Sequence, residues 1–229
     1  MVRFAAVITA AGSSRRFNAA SEGALKKEFE RLGDGTVLSS AVRPFLDIPG
    51  LACVVITYRE GELETVKSLL GSLDNGKTLF FFVQGGETRR DSVFNALKFL
   101  HENGEPGIEM VAIHDGARPF VSRTLIESCL AAAEKAGGSC PCIPVTDTVV
   151  RTEEGLISGR LSRQGLCTVQ TPQVFRFPYI YHAHLKADPD KAYTDDTEIF
   201  MDFGGSVASV PGESSNRKIT FAQDLTEGK

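Results

Sequence analysis

Five short stretches of the chain are apolar over nearly their whole length: Phe4 to Thr9, Ala52 to Thr57, Leu79 to Val83, Met110 to His114 and Ser139 to Pro144. A strand with one wet face alternates apolar and polar residues, so runs without that alternation belong to strands covered on both faces. Between most of them lie segments with apolar residues at helical spacing, at Val37 to Leu46, Glu62 to Leu70, Ser92 to Leu100 and Leu125 to Ala136. That βαβ rhythm predicts an α/β fold, Rossmann-like, with a mostly parallel sheet flanked by helices.

The rhythm stops after Pro144. Two alternating runs, Thr148 to Thr152 and Leu156 to Leu161, surround the turn "EEG" and read as a projecting β-hairpin arm at about 146–165. A two-stranded ribbon is marginal alone in water, so the arm is expected to pack on something else, plausibly a second copy of the chain. Helical spacing returns at Pro178 to Lys186, a polar "TDDTE" follows, and Ser206 to Val210 reads as a strand. No repeat, low-complexity tract or linker interrupts the sequence, and 1–229 is read as a single domain.

Composition narrows the function. A formal net charge of -4 argues against a surface built for nucleic acid, while leaving room for a local basic cleft. No run approaches the roughly 18 apolar residues of a membrane span. "MVRFAAVITAAG" has the outline of a secretion signal, but its apolar run is short and β-branched. Cys53, Cys129, Cys140, Cys142 and Cys167 lack the paired Cys-x-x-Cys spacing of zinc or redox sites and read as reduced packing residues, so the cytoplasm is the expected compartment.

In parallel α/β sheets, ligands bind at the carboxyl ends of strands, and "AAGSSRRF" occupies the first such loop. Gly12 permits close backbone approach, successive N–H groups there can face an anion, and Arg15 and Arg16 carry fork-shaped donors that match phosphate oxygens. The segment contains neither Gly-x-x-x-x-Gly-Lys-Ser/Thr nor Gly-x-Gly-x-x-Gly, which disfavours a P-loop ATPase and a dinucleotide-binding dehydrogenase. Lys26 and Lys27 in "ALKKEF" add two cations about ten residues on, and four cations around one loop favour a polyanionic ligand over a plain turn.

Three further segments, "QGGETRRDSV" at 84–93, "IHDGARPF" at 113–120 and "QTPQVF" at 170–175, complete an ordered set. Together with "AAGSSRR" the set resembles the 2-C-methyl-D-erythritol 4-phosphate cytidylyltransferases of the non-mevalonate isoprenoid pathway, in register from about Val7 to Asp224. The resemblance implies a nucleotidyltransferase that joins CTP and a polyol phosphate, methylerythritol phosphate, with Mg2+, releasing pyrophosphate. It implies that Arg16 and Lys27 stabilise the transition state, and that Ala10, Ala11, Gly12, Gly86, Glu87 and Ser92 surround the cytosine. It places Asp115, as a metal ligand or substrate contact, Arg118, Thr148 and Thr171 on the polyol-phosphate side. Arg163 and Lys218 would position the attacking phosphate, with the arm of one subunit of a homodimer reaching the other's site.

Other readings of the same residues stay open. Gly85 and Gly86 also suit a simple turn, Arg89 and Asp91 a helix-opening charge pair, Ser92 a helix start, and Asp115 with Arg118 a buried ion pair. His114 reads as a packing residue. Ser14 stands where the family has a second glycine, Lys26-Lys27-Glu28 replaces Pro-Lys-Gln, and the loop before it is long, so either Lys26 or Lys27 could face the phosphates. A ribitol 5-phosphate cytidylyltransferase and a non-catalytic nucleotide-binding protein on the same fold are the rival functions.

Overall fold

A computed structural model of the chain describes residues 2–14, 17, 26–73 and 76–225. Its elements in order are β1 (Phe4–Thr9), a single 3-10 turn at Lys27–Phe29, β2 (Arg31–Leu32), β3 (Gly35–Thr36), α1 (Val37–Leu46), β4 (Leu51–Tyr58), α2 (Leu63–Leu70), β5 (Leu79–Gln84), α3 (Arg89–Asn103), β6 (Met110–Asp115), α4 (Arg123–Ala136) and β7 (Gly137–Pro144). Then follow β8 (Val149–Glu153), β9 (Leu156–Leu161), β10 (Cys167–Val169), β11 (Gln173–Arg176), α5 (Tyr179–Lys186), α6 (Asp196–Asp202) and β12 (Ser206–Pro211). The main sheet is ordered β5-β4-β1-β6-β11-β7, with β10 and β12 also paired to β7.

Strands β5, β4, β1 and β6 are mutually parallel, and β12 is parallel to β7. Strand β11 is antiparallel to both β6 and β7 and is wedged between them. The missing alternation in the sequence now has its cause. Phe4, Ala6 and Ile8 of β1 bury one way, in a core with Leu38, Val42 and Phe45 of α1 and Ile126 and Cys129 of α4. Ala5 and Val7 bury the other way, with Val93 and Leu97 of α3, Ile180 of α5 and Phe200 of α6. Both faces of the strand are dry, so neither set of side chains can be polar.

Gly137 closes α4 in the left-handed region, at φ 96°, and opens β7 directly, a turn that a side chain would strain. Hairpin β8–β9 forms a separate two-stranded sheet. Its Leu156, Ile157 and Leu161 are exposed, at 74%, 69% and 45%, so the arm stands off the body with apolar residues uncovered.

The expected strands and helices are present within a few residues of their sequence boundaries, and β10, β11, the small β2–β3 hairpin and α6 are additions. Helix α6 begins inside "TDDTE", whose polarity reads as loop. Asp195 is in fact its N-cap, accepting from the Glu198 N–H at 3.1 Å, and only Ile199 and Phe200 turn into the core. No helix among the described residues is long and apolar enough to cross a membrane.

Candidate active site

The loops leaving β1, β4, β5 and β6 at their carboxyl ends surround a cleft of about 670 Å³. Ala11, Gly12, Ser13 and Ser14 form one wall, Gly86, Glu87, Thr88, Arg89 and Ser92 another, and Lys27, Glu28, Arg59, Asp115 and Lys218 contribute charge. Glycine is required where the first two walls meet. A Cβ on Gly85 would fall 2.3 Å from Ala11 Cβ and 2.7 Å from Ser92 Oγ, and one on Gly86 would fall 2.3 Å from Asp91 Cβ. Helix α3 starts there because Thr88 and Asp91 cap each other reciprocally, which stabilises the turn beside the cleft. Asp91 therefore pairs with Thr88, and Ser92, one turn in, is buried with its hydroxyl accepting from the Gly86 N–H at 3.1 Å.

The two adjacent lysines have different environments. Lys26 is buried; its ammonium donates to the Ala10 carbonyl and pairs with Glu62 at 2.5 Å. Lys27, on the 3-10 turn, lines the cleft and donates to the Ile219 carbonyl at 3.0 Å. Glu28 beside it is buried, and desolvation raises its carboxyl above the usual value despite both lysines and the hydrogen bond from Ser14 at 3.1 Å.

Asp115, the last residue of β6, is the electrostatic centre. Its Oδ1 accepts from Arg89 Nε at 3.1 Å, its Oδ2 accepts from Lys218 Nζ at 2.7 Å, and Arg118 Nε stands 3.8 Å from Oδ2. Burial alone would push the carboxyl up, but Arg89 and Lys218 together outweigh it and hold it well below the usual range. Arg89 also donates from Nη1 to Asp196 Oδ2 at 2.7 Å, and Asp196 in turn meets His184 Nε2 at 3.1 Å. His114 lies beneath the rim with Nε2 3.0 Å from the Arg118 carbonyl and Nδ1 3.0 Å from Thr171 Oγ1, and burial lowers its pKa to about 4, so it is neutral and packs.

A smaller cavity of about 140 Å³ adjoins the cleft, lined by Arg118, Gln170, Thr171, Gln173, Thr194 and Asp195 together with Arg89, Asp115 and Lys218. Its floor is rigid. Thr171 Oγ1 accepts from the Asp115 N–H at 3.0 Å, and Asn216 joins the Thr171 carbonyl to the Arg118 guanidinium, at 2.8 and 2.7 Å.

The fold thus gathers Ala11, Gly12, Lys27, Gly86, Glu87, Ser92, Asp115 and Lys218 on one cleft, with Ala10 buried behind it and Arg118 and Thr171 on the adjoining cavity. Thr148 and Arg163 line neither; Arg163 is exposed at the base of the arm and donates to the Thr146 carbonyl of its own chain. Arg16 lies outside the described residues. Arg59 and Arg89 also line the cleft; the sequence reads Arg89 as a helix-opening pair with Asp91, but its carboxylate partners are Asp115 and Asp196. The doubled arginine of "ETRRDSV" was the only signal for Arg89, whose partners lie 26 and 107 positions away.

Glycine-rich loops at the carboxyl edge of a parallel sheet, with a charged cleft beside them and no P-loop sequence, define a nucleotide-binding layout of Rossmann-like type. The family model for "IspD: 2-C-methyl-D-erythritol 4-phosphate cytidylyltransferase" matches residues 4–229, and the chain belongs to that family. It is 40% identical over 225 residues to the bifunctional enzyme IspD/IspF of Rhodobacter capsulatus, covering 98% of this chain and 55% of that protein. It is 33% identical over 226 residues to the 2-C-methyl-D-erythritol 4-phosphate cytidylyltransferase of Bacillus licheniformis, covering 98% of this chain and 93% of that one. The crystal structure of the 4-diphosphocytidyl-2C-methyl-D-erythritol synthase of Anaerococcus prevotii superposes with a TM-score of 0.80 at 28% identity, over 99% of this chain and 96% of the other. The chain spans about half the length of the bifunctional relative.

Proposed function

We propose that the chain transfers CMP from CTP to 2-C-methyl-D-erythritol 4-phosphate, giving 4-diphosphocytidyl-2-C-methyl-D-erythritol and pyrophosphate. The observation that carries this reading is the convergence of Lys27, Asp115 and Lys218, from three distant stretches, on a cleft walled by the two glycine loops, in a chain matched by the family model over residues 4–229. The base fits between Ala11–Gly12 and Gly86–Ser92, where tight backbone suits a small pyrimidine. The triphosphate then extends toward Lys27, and the polyol phosphate takes the smaller cavity beside Asp115, Arg118 and Thr171.

In the reaction an oxygen of the polyol phosphate attacks the α-phosphorus, a P–O bond forms, and the bond to the β-phosphate breaks in line, with its electron pair leaving on pyrophosphate. Two polyanions must approach. Lys27, with Arg16 as the family resemblance implies, supplies charge at the α-phosphate as it becomes more negative, and Lys218 holds the incoming phosphate in a reactive pose. Asp115 orients Lys218.

Magnesium is the expected cofactor. Both Asp115 oxygens already face cations, and among the described residues no group of three or more His, Cys, Asp or Glu side chains could hold a metal. That fits an ion carried by the substrate phosphates themselves, the usual mode for magnesium, rather than one ligated by Asp115, whose two oxygens hold Arg89 and Lys218. When bound, the ion would neutralise the departing pyrophosphate.

The exposed apolar arm supports a homodimer in which Arg163 and Thr148 complete the partner's site, and five free cysteines suit the cytoplasm. Pyrophosphate release from CTP, measured side by side with 2-C-methyl-D-erythritol 4-phosphate and ribitol 5-phosphate, tests the assignment. Preference for the first by roughly 100-fold or more in kcat/KM is expected. Preference for ribitol phosphate would reassign the substrate, and turnover of neither would leave a nucleotide-binding protein.

A further inference from the structure

Three residues, Arg89, Asp115 and Lys218, line both the large cleft and the smaller cavity, and so form the partition between them. On the reading proposed above, the reacting atoms meet at this partition. Yet Lys218 is engaged there, its Nζ 2.7 Å from Asp115 Oδ2. To grip a substrate phosphate it must give up that contact, and a buried carboxylate stripped of its close cation is strongly disfavoured. Arg118 offers no substitute at 3.8 Å, because its guanidinium donates instead to the Asn216 carbonyl at 2.7 Å.

Arg89 solves the problem by geometry. Its Nε holds the other Asp115 oxygen, Oδ1, at 3.1 Å, while Nη1 is tied back to Asp196 on α6 at 2.7 Å. Asp196 is fully buried and held by His184 at 3.1 Å on its second oxygen. A guanidinium gripped by two carboxylates cannot follow a phosphate into the cleft, whereas Lys218, with one carboxylate partner and a third of its side chain exposed, can. The two carboxylates and three cations, Arg89, Lys218 and Arg118, leave one positive charge in excess for an incoming anion.

We propose that Arg89 is a positioning residue for the transfer: as the fixed counter-ion of Asp115, it keeps that carboxylate in place while Lys218 passes from Asp115 to the substrate phosphate. The inference rests on the proposed cytidylyltransferase reading and adds to it a residue that acts through Asp115. Helix α6, whose N-cap Asp195 lines the smaller cavity, thereby becomes part of the machinery, because its Asp196 anchors the arginine.

The test uses the full chain and the variants Arg89→Gln, Arg89→Lys, Asp196→Asn and Arg89→Gln/Asp196→Asn, with thermal midpoints, CTP affinity by calorimetry, and kcat. Arg89→Gln and Arg89→Lys are expected to bind CTP within about 3-fold of the unaltered chain while kcat falls roughly 10- to 100-fold, the lysine failing because its shorter chain and single nitrogen cannot reproduce the separated Nε and Nη1 donors that span Asp115 and Asp196. Asp196→Asn, which loosens only the anchor, should lose about 3- to 10-fold in kcat, and the double variant should be no slower than Arg89→Gln because both changes act on one link. Unchanged kcat in the Arg89 variants, a fall matched by lost CTP affinity, or penalties that multiply in the double variant would each overturn the inference. Should Arg89→Gln fail to fold, Arg89→Lys and Asp196→Asn decide the matter. No product from the unaltered chain defeats the functional reading and the inference with it, whereas normal turnover with unimpaired Arg89 variants defeats the inference alone.

Discussion

Replacing Lys27 with alanine is expected to lower kcat by roughly 100- to 1,000-fold while the KM for CTP changes by less than about 5-fold. The asymmetry follows from where charge sits. Arg59 and Lys218 remain on the cleft to attract the triphosphate, so ground-state binding loses one cation among several. On the family resemblance, charge developing at the α-phosphorus has only Arg16 besides Lys27 to meet it, so that stage loses far more. Lys27 is half-buried on a short turn, so its loss should leave the thermal midpoint nearly unchanged. Lys26→Ala should do the reverse, because it leaves the buried Ala10 carbonyl without that donor and removes the cation from half-buried Glu62: a lower midpoint with a smaller kinetic effect. A Lys27→Ala enzyme with unchanged kcat and a raised KM would mean that Lys27 contributes only uniform binding.

Asp115→Asn is expected to damage stability and turnover together. It leaves Arg89, Arg118 and Lys218 clustered with no carboxylate at their centre, and a broken buried pair usually costs more than the pair contributed. Arg89 and Lys218 are about a third exposed, which discounts the loss to about 2–4 kcal/mol, or a midpoint lower by roughly 5–10 °C. Turnover should fall about 100-fold as Lys218 loses its orientation. The pH dependence has a definite sign. A carboxyl held below its unfolded value contributes stability that is fully present above about pH 4 and is lost as the pH falls through the folded value. The gap in midpoint between the native chain and Asp115→Asn should therefore narrow on acidification below pH 4. A constant gap down to acid pH would show that the ionised carboxylate is not what stabilises the cluster.

Much of the fold could be read from the chain because both faces of β1 and β4 are buried. An apolar run such as "FAAVIT" then has one interpretation, and its helical neighbours have another. Strand β11 and helix α6 were hidden for opposite reasons. "QVFR" is too short to show a period and owes its conformation to the slot between β6 and β7, while α6 opens on two aspartates whose role is to cap and to anchor. The loops after β1, β5 and β6 declared themselves by glycine and charge at strand ends. Arg89 did not, because a guanidinium beside an aspartate two positions on looks like a local pair, and only the folded chain brings it to Asp115 and Asp196. The choice between Lys26 and Lys27 likewise needed three dimensions, since the residue that turns inward is decided by Glu62 and the Ala10 carbonyl.

The central claim is that cations from separate stretches of one chain meet two phosphate-bearing substrates on opposite sides of Asp115. A crystal structure with CTP, magnesium and 2-C-methyl-D-erythritol 4-phosphate tests it most directly. The account predicts the cytosine between Ala11–Gly12 and Gly86–Ser92, the α-phosphate within hydrogen-bond reach of Lys27, and the polyol phosphate on Lys218 after that lysine has left Asp115. A nucleotide seated away from this cleft, or a polyol phosphate bound with Lys218 still paired to Asp115, would contradict it.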